Sequence, residues 1–369
     1  MKRWKKTLFA LLTLLAVIVA LNIAADKLVR HPAAEAYEGI YQGHPTRIHQ
    51  LKPGARATIP IGLFGNYHRA WKKSGAVYQV EINPQGFRDR PFGPKTDFRI
   101  IALGDSSTFG WDVEAAETWP KVLENLLLKN RRPVEVLNLG VPGYSSHQGL
   151  MMLKEVWPLE PDLLIIAYGR NDELDTAFSP TEHGRGRADA ELMPGDRVVD
   201  AVRPSFRQRL RSTGLYRAVQ RLHEEYLSSP HPDRAPAPAE DQALRRVPPP
   251  RYRENLRQMI QEAEQRGVPV VLVSLGCFFE KYRQALMTVG RETDVPALDT
   301  FPLFFEKVPA IKTDSAFQVC REQLISRLGI KTLDSSAGGW LWFSTDFGHP
   351  NACGHQVIAE AVAPLLPLH

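Results

Sequence analysis

From residue 98 onward, short runs of branched apolar residues alternate with segments that have helical spacing. Five runs stand out: Phe98–Leu103, Val134–Leu139, Asp162–Tyr168, Val268–Leu275 and Val295–Leu298. Runs of this length, bounded by turn-forming residues, are typical of strands that are buried on both faces of a parallel sheet. Because parallel strands require crossover connections, the segments between them predict flanking helices. The pattern predicts an α/β fold, a three-layer α/β/α sandwich around a mainly parallel five-stranded sheet.

The N-terminus combines a basic head with an apolar segment. Four of the first six residues are Lys or Arg, and residues 7–25 are almost wholly apolar. A head of this kind stays in the cytoplasm, and about 19 apolar residues approach the length that spans a bilayer. Residues 1–25 therefore predict a membrane anchor that leaves the rest of the chain on the extracytoplasmic side. The alternative is a cleaved signal and a secreted or periplasmic protein, although Ala24-Ala25-Asp26 is only a mediocre cleavage site.

The charge balance argues against a nucleic-acid partner. The formal net charge is +5, but without the four cations of the head, 42 basic residues face 41 acidic ones. No nucleic-acid-binding motif accompanies them. The three cysteines, Cys277, Cys320 and Cys353, have no metal-type spacing and are interpreted as incidental, although export would allow two of them to join. The oligomeric state is left open.

Composition divides the rest of the chain into three parts. Residues 26–97 are loop-rich, with an alternating segment at Val77–Asn83, and predict a small β-rich extension. Residues 98–369 form the main domain. Within it, residues 179–250 interrupt the strand and helix alternation and include a proline-rich stretch, which indicates an insertion. The insertion follows a strand end, so it is either a lid or cleft wall, or a surface decoration.

Residues that fit nucleophilic catalysis follow the predicted strands and occur again near the C-terminus. Ser106 comes directly after the first strand, where a parallel strand presents its loop to ligands. A serine hydroxyl is a weak nucleophile until a base removes its proton, and His349 is the candidate base. Asp346, three residues earlier, is suited to hold the other ring nitrogen and to stabilise the imidazolium. These residue types indicate attack by a hydroxyl on a carbonyl.

Ser106, Asp346 and His349 lie in the first and the last of four short motifs. The four motifs are Gly104–Ser107, Asn138–Gly143, Gly169–Asp172 and Asp346–His349. Apart from the insertion, the chain from about Phe98 to Pro364 resembles the SGNH hydrolases, also called GDSL-type esterases, in which these motifs occur in this order. The resemblance implies a flavodoxin-like sheet and no cofactor. It also implies an oxyanion hole formed by the backbone N–H groups of Ser106 and Gly143 and by the side-chain amide of Asn171. Ser107 replaces the leucine of the family's name motif, which we interpret as the mark of a branch.

Neighbouring polar residues are assigned structural roles. Asp105 and Asp172 are expected to accept backbone N–H bonds and to brace their loops. His355 is expected to be a hydrogen-bonding residue of the last helix. Asp346, His349 and His355 are also metal-ligand types, but one loop offers too few ligands and no second cluster accompanies it, so no metal site is predicted.

The motifs and the resemblance together predict a serine esterase that hydrolyses carboxylic O-acyl esters through an acyl-Ser106 intermediate. The expected substrate is a small-molecule or glycan-linked acyl ester. Two alternatives stay open. The same triad would serve an acetyltransferase or deacetylase acting on envelope polysaccharide, because fold and triad do not fix the acceptor. A catalytically silent glycan-binding or scaffolding protein is the alternative from another class.

Overall fold

The computed structural model describes residues 3–29, 39–61, 76–130, 132–174, 189, 245–275, 279–328 and 349–367. The chain divides into two compact units, Met1–Glu35 with Val199–Ala243 and Ala36–Val198 with Leu244–His369. Most of the predicted insertion at residues 179–250 lies outside the described residues, and so does Cys277.

In the first unit the structure describes one helix, α1 (Arg3–Val29). Its described side chains between residues 12 and 24 are almost all exposed. In the part of the chain that the structure describes, no helix combines the length and the apolar character that a membrane span requires. The membrane anchor that the sequence predicts at residues 1–25 is not shown by the structure.

The second unit begins with two antiparallel hairpins. Strand β1 (Tyr41–His44) pairs with β2 (Ile48–Leu51), and β3 (Arg56–Pro60) pairs with β4 (Val77–Glu81). Strand β4 lies in the alternating segment that the sequence predicts at residues 77–83. In β3 and β4, exposed and buried side chains alternate, so one face of this hairpin joins the hydrophobic core.

The central sheet contains five parallel strands in the order β6-β5-β7-β8-β9. They are β5 (Phe98–Gly104), β6 (Val134–Gly140), β7 (Leu163–Ala167), β8 (Val270–Ser274) and β9 (Ala297–Asp299). Every residue of β7 and β8 is buried, which requires cover on both faces of the sheet. The predicted α/β fold with a parallel five-stranded sheet is confirmed.

Helices flank the sheet. They are α2 (Ser106–Phe109), α3 (Trp119–Lys129), α4 (Ser146–Val156), α5 (Pro249–Glu264), α6 (Glu280–Glu292), α7 (Thr300–Glu306), α8 (Val308–Thr313), α9 (Gln318–Leu328) and α10 (Ala352–Val362). Helix α3 packs against α10, whereas α5 packs against both α4 and α6. Helix α3 starts with a proline in its first turn and aligns its apolar residues on one face.

Strand register brings three loops to one edge of the sheet. Gly104, at the end of β5, aligns with Gly140 of β6 and with Ala167 of β7. The strand order corresponds to the flavodoxin-like order 2-1-3-4-5, in which ligands bind beyond the carboxyl ends of the strands. Gly140 also allows α2 to pack closely, because a Cβ there would lie 2.2 Å from the backbone nitrogen of Phe109.

A buried arginine connects the N-terminal hairpins to helix α2. Arg88 is 2% exposed, and desolvation lowers the pKa of its guanidinium to about 10. It donates hydrogen bonds to the carbonyls of Gln79, Phe109, Gly110 and Val113. Two of these acceptors lie where α2 ends, so Arg88 satisfies carbonyls that the short helix leaves unpaired.

A disulfide joins Cys320 of α9 to Cys353 of α10, across 33 residues of sequence. This corrects the interpretation of these two cysteines as incidental. The spacing of the cysteines in the sequence does not indicate the disulfide, because pairing requires that the two Cα atoms approach in space. The closed loop contains residue 349, so the bond restrains the chain on both sides of the candidate base.

Loss of this disulfide is expected to lower the free energy of unfolding by roughly 3–4 kcal/mol, the loop-closure value for a loop of this length. Urea unfolding of the Cys320→Ser/Cys353→Ser variant, compared with the parent, measures the change. Cys277→Ser is the matched control, because it removes a thiol and keeps the pair. Equal unfolding midpoints for the parent and the double variant would contradict the prediction.

Candidate active site

Ser106 opens helix α2, immediately after strand β5. The preceding residue, Asp105, caps the helix by accepting a hydrogen bond of 2.8 Å from the backbone N–H of Ser107. Ser106 is 7% exposed. Its backbone carbonyl accepts hydrogen bonds from the N–H groups of Gly110 and Trp111, which closes the helical turn. The local structure therefore fixes the backbone that carries the candidate nucleophile.

His349 lies against Ser106. Its Nε2 is 2.7 Å from the Ser106 Oγ, although the two residues are 243 positions apart. The hydroxyl can donate to Nε2 when the ring proton is on Nδ1. The imidazole also stacks on the indole of Trp111, with ring centroids 5.6 Å apart and an angle of 29° between the planes. The two side chains thus have the geometry of a nucleophile and its general base.

The other predicted site residues are described to different extents. Asp346, the predicted orienting acid, lies outside the described residues. Gly143 follows β6 and has φ +83°, a conformation that glycine adopts without strain. The Nδ2 of Asn171 donates to the Tyr144 carbonyl at 2.9 Å and lies 3.4 Å from Oδ2 of Asp105. Asn171 therefore connects the β7 loop with the β6 loop and approaches the residue before Ser106.

Two buried carboxyl groups brace these loops. Besides capping α2, Asp105 is fully buried, and desolvation raises its pKa to about 6. Asp172 is also fully buried and accepts hydrogen bonds from the backbone N–H and the hydroxyl of Ser146. Desolvation raises the pKa of Asp172 to about 7. Both carboxyls bond to backbone amides, as the sequence predicts for bracing residues.

The loop after β6 is also contacted by an ion pair that the sequence analysis does not predict. Arg246 and Asp189 are both buried, with Nη2 and Oδ2 2.9 Å apart. Arg246 Nη2 also donates to the Gly143 carbonyl at 2.9 Å, and Asp189 accepts from the Ser145 hydroxyl at 2.9 Å. Both residues fall within the predicted insertion. Neither residue belongs to a periodic pattern or to a motif, so the sequence analysis does not single them out.

His355 has a structural role. It is fully buried in helix α10, and its Nδ1 accepts a hydrogen bond of 3.0 Å from the backbone N–H of Trp119 at the start of α3. Desolvation, followed by the charges of Arg88 and His349, lowers the pKa of His355 to about 3. The imidazole is therefore neutral in the folded protein at neutral pH.

This lowered pKa predicts a pH-dependent loss of stability. The unfolded chain takes up a proton on His355 near pH 6.5, while the folded chain resists it down to about pH 3. Stability from this group is thus present above pH 6.5 and is lost as the pH falls toward 3, by roughly 3 kcal/mol between pH 7 and pH 4. His355→Asn keeps an acceptor for Trp119 but does not titrate. Urea unfolding at both pH values is expected to show a smaller acid loss in this variant, and equal losses would contradict the assignment.

In the described part of the chain, no group of three or more His, Cys, Asp or Glu side chains is arranged to hold a metal ion.

Comparison with known proteins gives matches to a family model and to a curated relative. The model of the GDSL-like lipase/acylhydrolase family matches residues 102–357. An arylesterase from Vibrio mimicus is 32% identical over 77 residues, which are 21% of this chain and 38% of that protein. The chain therefore spans little more than a third of that relative's length.

Solved structures give remote matches. One is a mutant of Axe2, an acetyl-xylooligosaccharide esterase from Geobacillus Stearmophilus, with 15% identity, a TM-score of 0.40 and coverage of 75% of this chain and 97% of that one. Another is a lipase/acylhydrolase from Enterococcus faecalis, with 14% identity, a TM-score of 0.39 and coverage of 73% and 98%.

Proposed function

Since the chain belongs to the GDSL-like lipase/acylhydrolase family and is a hydrolase acting on ester bonds, we propose that it is a serine esterase. In the proposed reaction, it cleaves carboxylic O-acyl esters through an acyl-Ser106 intermediate. The observation that carries this proposal is the contact of 2.7 Å between His349 Nε2 and Ser106 Oγ. The substrate class that fits is a small-molecule or glycan-linked acyl ester. The membership agrees with the resemblance to SGNH hydrolases in the sequence.

The proposed reaction has two half-reactions. His349 Nε2 accepts the Ser106 proton while Oγ attacks the ester carbonyl, and the resulting imidazolium returns the proton to the alcohol oxygen as it leaves. The acyl group is then bonded to Oγ. In the second half-reaction, water gives a proton to His349 and attacks the acyl carbonyl, so that the acid is released and the Ser106 hydroxyl is restored. Asp346, assigned by the family resemblance, would hold the proton on Nδ1.

In this proposal three donors stabilise the oxyanion. The Ser106 N–H belongs to the first residue of α2, where backbone N–H groups lack an intrahelical acceptor. The Gly143 N–H and the Asn171 amide come from the loops after β6 and β7, whose strands end in register with β5. A preorganised donor of this kind is worth about 3 kcal/mol in the transition state.

Replacement of Asn171 by alanine is expected to lower kcat by about 10²- to 10³-fold, because the lost donor acts mainly in the transition state. KM should change little. Steady-state kinetics with p-nitrophenyl acetate measure both constants. Since Asn171 also donates to Tyr144, the thermal midpoint is measured alongside, and a lowered midpoint with an unchanged kcat would contradict the oxyanion role.

The experiment that tests the proposed function combines labelling with product analysis. We expect a fluorophosphonate to modify Ser106, and mass spectrometry of protein exposed to an envelope extract to find a trapped acyl group on the same residue. Absence of both labelling and p-nitrophenyl ester hydrolysis would favour a silent binding protein. If the protein is given an acyl donor and a glycan, transfer that exceeds hydrolysis would favour an acyltransferase.

The proposal extends to location. A disulfide persists in oxidising compartments and is rare in the cytosol of most organisms, and the Cys320–Cys353 bond supports a site of action outside the cytoplasm. Fractionation of cells that express the chain, with thiols blocked at lysis, would find the oxidised protein outside the cytoplasmic fraction. Recovery of reduced protein from the cytoplasm would contradict this location.

A further inference from the structure

The hairpin of β1 and β2 places a histidine beside the loop that follows β6. His49 Nε2 lies 2.9 Å from the carbonyl oxygen of Pro142. A carbonyl oxygen only accepts hydrogen bonds, so Nε2 is the donor and carries the ring proton. The Pro142 carbonyl and the Gly143 N–H belong to the same peptide group. The imidazole is thus bonded to the peptide that presents one of the proposed oxyanion donors.

We propose that His49 is a positioning residue for ester hydrolysis, which holds and polarises the peptide group that carries the Gly143 N–H. This inference rests on the proposed function, in which that N–H stabilises the oxyanion. A peptide group is planar and conjugated, so a fixed oxygen also fixes the direction of the N–H. A hydrogen bond to the oxygen draws electron density from the nitrogen and strengthens the N–H as a donor.

The hairpin is fastened to the same loop by further contacts. The Tyr144 hydroxyl donates to the His49 carbonyl at 2.6 Å, and the two rings meet edge to face with centroids 5.1 Å apart. Arg47, which is 3% exposed, donates to the Tyr144 hydroxyl at 3.1 Å and to Glu155 of α4 at 2.7 Å. His49 is therefore held in place by its own backbone and by the ring beside it.

The backbone before His49 and the space beside Gly143 both fit the position of the imidazole. Ile48, directly before His49, has φ +73°, a conformation that is strained for a β-branched residue. Strain of this kind persists where the surrounding structure requires a side chain in one place. At Gly143 a Cβ would lie 3.5 Å from Cε1 of His49, so the imidazole occupies the space beside this glycine.

Three consecutive carbonyls of this loop are each bonded to a different part of the chain. His49 donates to Pro142, Arg246 to Gly143 and Asn171 to Tyr144. The bond from His49 is distinctive, because its acceptor shares a peptide group with the Gly143 N–H. Loss of His49 would release the donor peptide while the next two carbonyls keep their partners.

Three substitutions separate the hydrogen bond from the bulk of the ring. His49→Phe keeps a ring against Tyr144 and removes the donor. In His49→Gln the amide nitrogen can reach the position of Nε2, whereas in His49→Asn it ends near the position of Nδ1 and falls short of Pro142. Gln and Asn therefore form a matched pair with the same chemistry and different reach. Ser106→Ala is assayed in parallel on the same p-nitrophenyl ester.

We expect the Phe and Asn variants to lose roughly five- to tenfold in kcat with KM within twofold of the parent, a fraction of the effect of losing a direct oxyanion donor. The Gln variant should keep most of the parental kcat. The inference is overturned if the Asn variant retains the parental kcat, if only KM changes, or if the Gln variant loses activity or fails to fold along with the others. Activity in Ser106→Ala would instead overturn the proposed function.

Discussion

Ser106→Ala is expected to lower kcat for short-chain p-nitrophenyl esters by about 10⁴- to 10⁶-fold, the range seen when a serine nucleophile that works with a histidine is removed. The physical reason is that alanine has no oxygen to form the acyl intermediate, so only direct attack by water remains. The variant should fold normally, because the described bonds of the Ser106 backbone do not depend on its hydroxyl. Steady-state kinetics and the thermal midpoint measure the two quantities.

Ser107→Ala is the matched control for this experiment. It removes a hydroxyl one residue further along α2 and keeps the backbone N–H that Asp105 accepts. We expect kcat within a few-fold of the parent. Hydrolysis that persists in Ser106→Ala, or that is lost equally in both variants, would contradict the assignment of Ser106 as nucleophile.

Replacement of His349 by alanine is expected to be nearly as damaging as loss of Ser106, with kcat reduced by about 10⁴- to 10⁶-fold. Without the imidazole, no described group lies within hydrogen-bonding distance of Ser106 Oγ to take its proton. Because the two side chains act as one unit, the double variant should be no slower than either single variant. The three kcat values, measured on the same ester, check this.

His355→Asn is the matched control for His349→Ala, since it changes a histidine of the adjoining helix that bonds to the Trp119 backbone. It is expected to keep kcat within a few-fold of the parent at neutral pH. If the losses in kcat multiply in the Ser106→Ala/His349→Ala double variant, Ser106 and His349 act independently, contrary to the proposed mechanism.

The central sheet was predictable because each strand carries its own signal. Strand β5 begins at Phe98 and β6 at Val134, as the sequence predicts, since these runs of branched apolar residues are buried from both sides. The last strand lies later in the chain than the sequence predicts. The prediction is residues 295–298, whereas β9 is Ala297–Asp299, because Val295 and Pro296 precede the residues that pair with β8. Short strands have few residues with which to define their ends.

The site was predictable only in part. Ser106, Gly143 and Asn171 follow strand ends, so the strand prediction alone brings their loops to one edge of the sheet. The contact of His349 with Ser106 was inferred from residue chemistry and the family resemblance, and the catalytic roles stay predictions. By contrast, His49 and Arg246 hold main-chain carbonyls. Every residue has a main-chain carbonyl, so the type of the acceptor residue does not reveal such a bond in the sequence.

The buried guanidinium of Arg88 limits how far this chain can be truncated from its N-terminus. The residues that the family model matches, 102–357, exclude it. A fragment with those limits would leave the carbonyls of Phe109, Gly110 and Val113 without the donor that satisfies them in the whole chain. The smallest active piece of this protein should therefore be larger than the region it shares with its relatives. A truncation series should place its N-terminal limit ahead of Arg88 rather than at the first strand of the sheet.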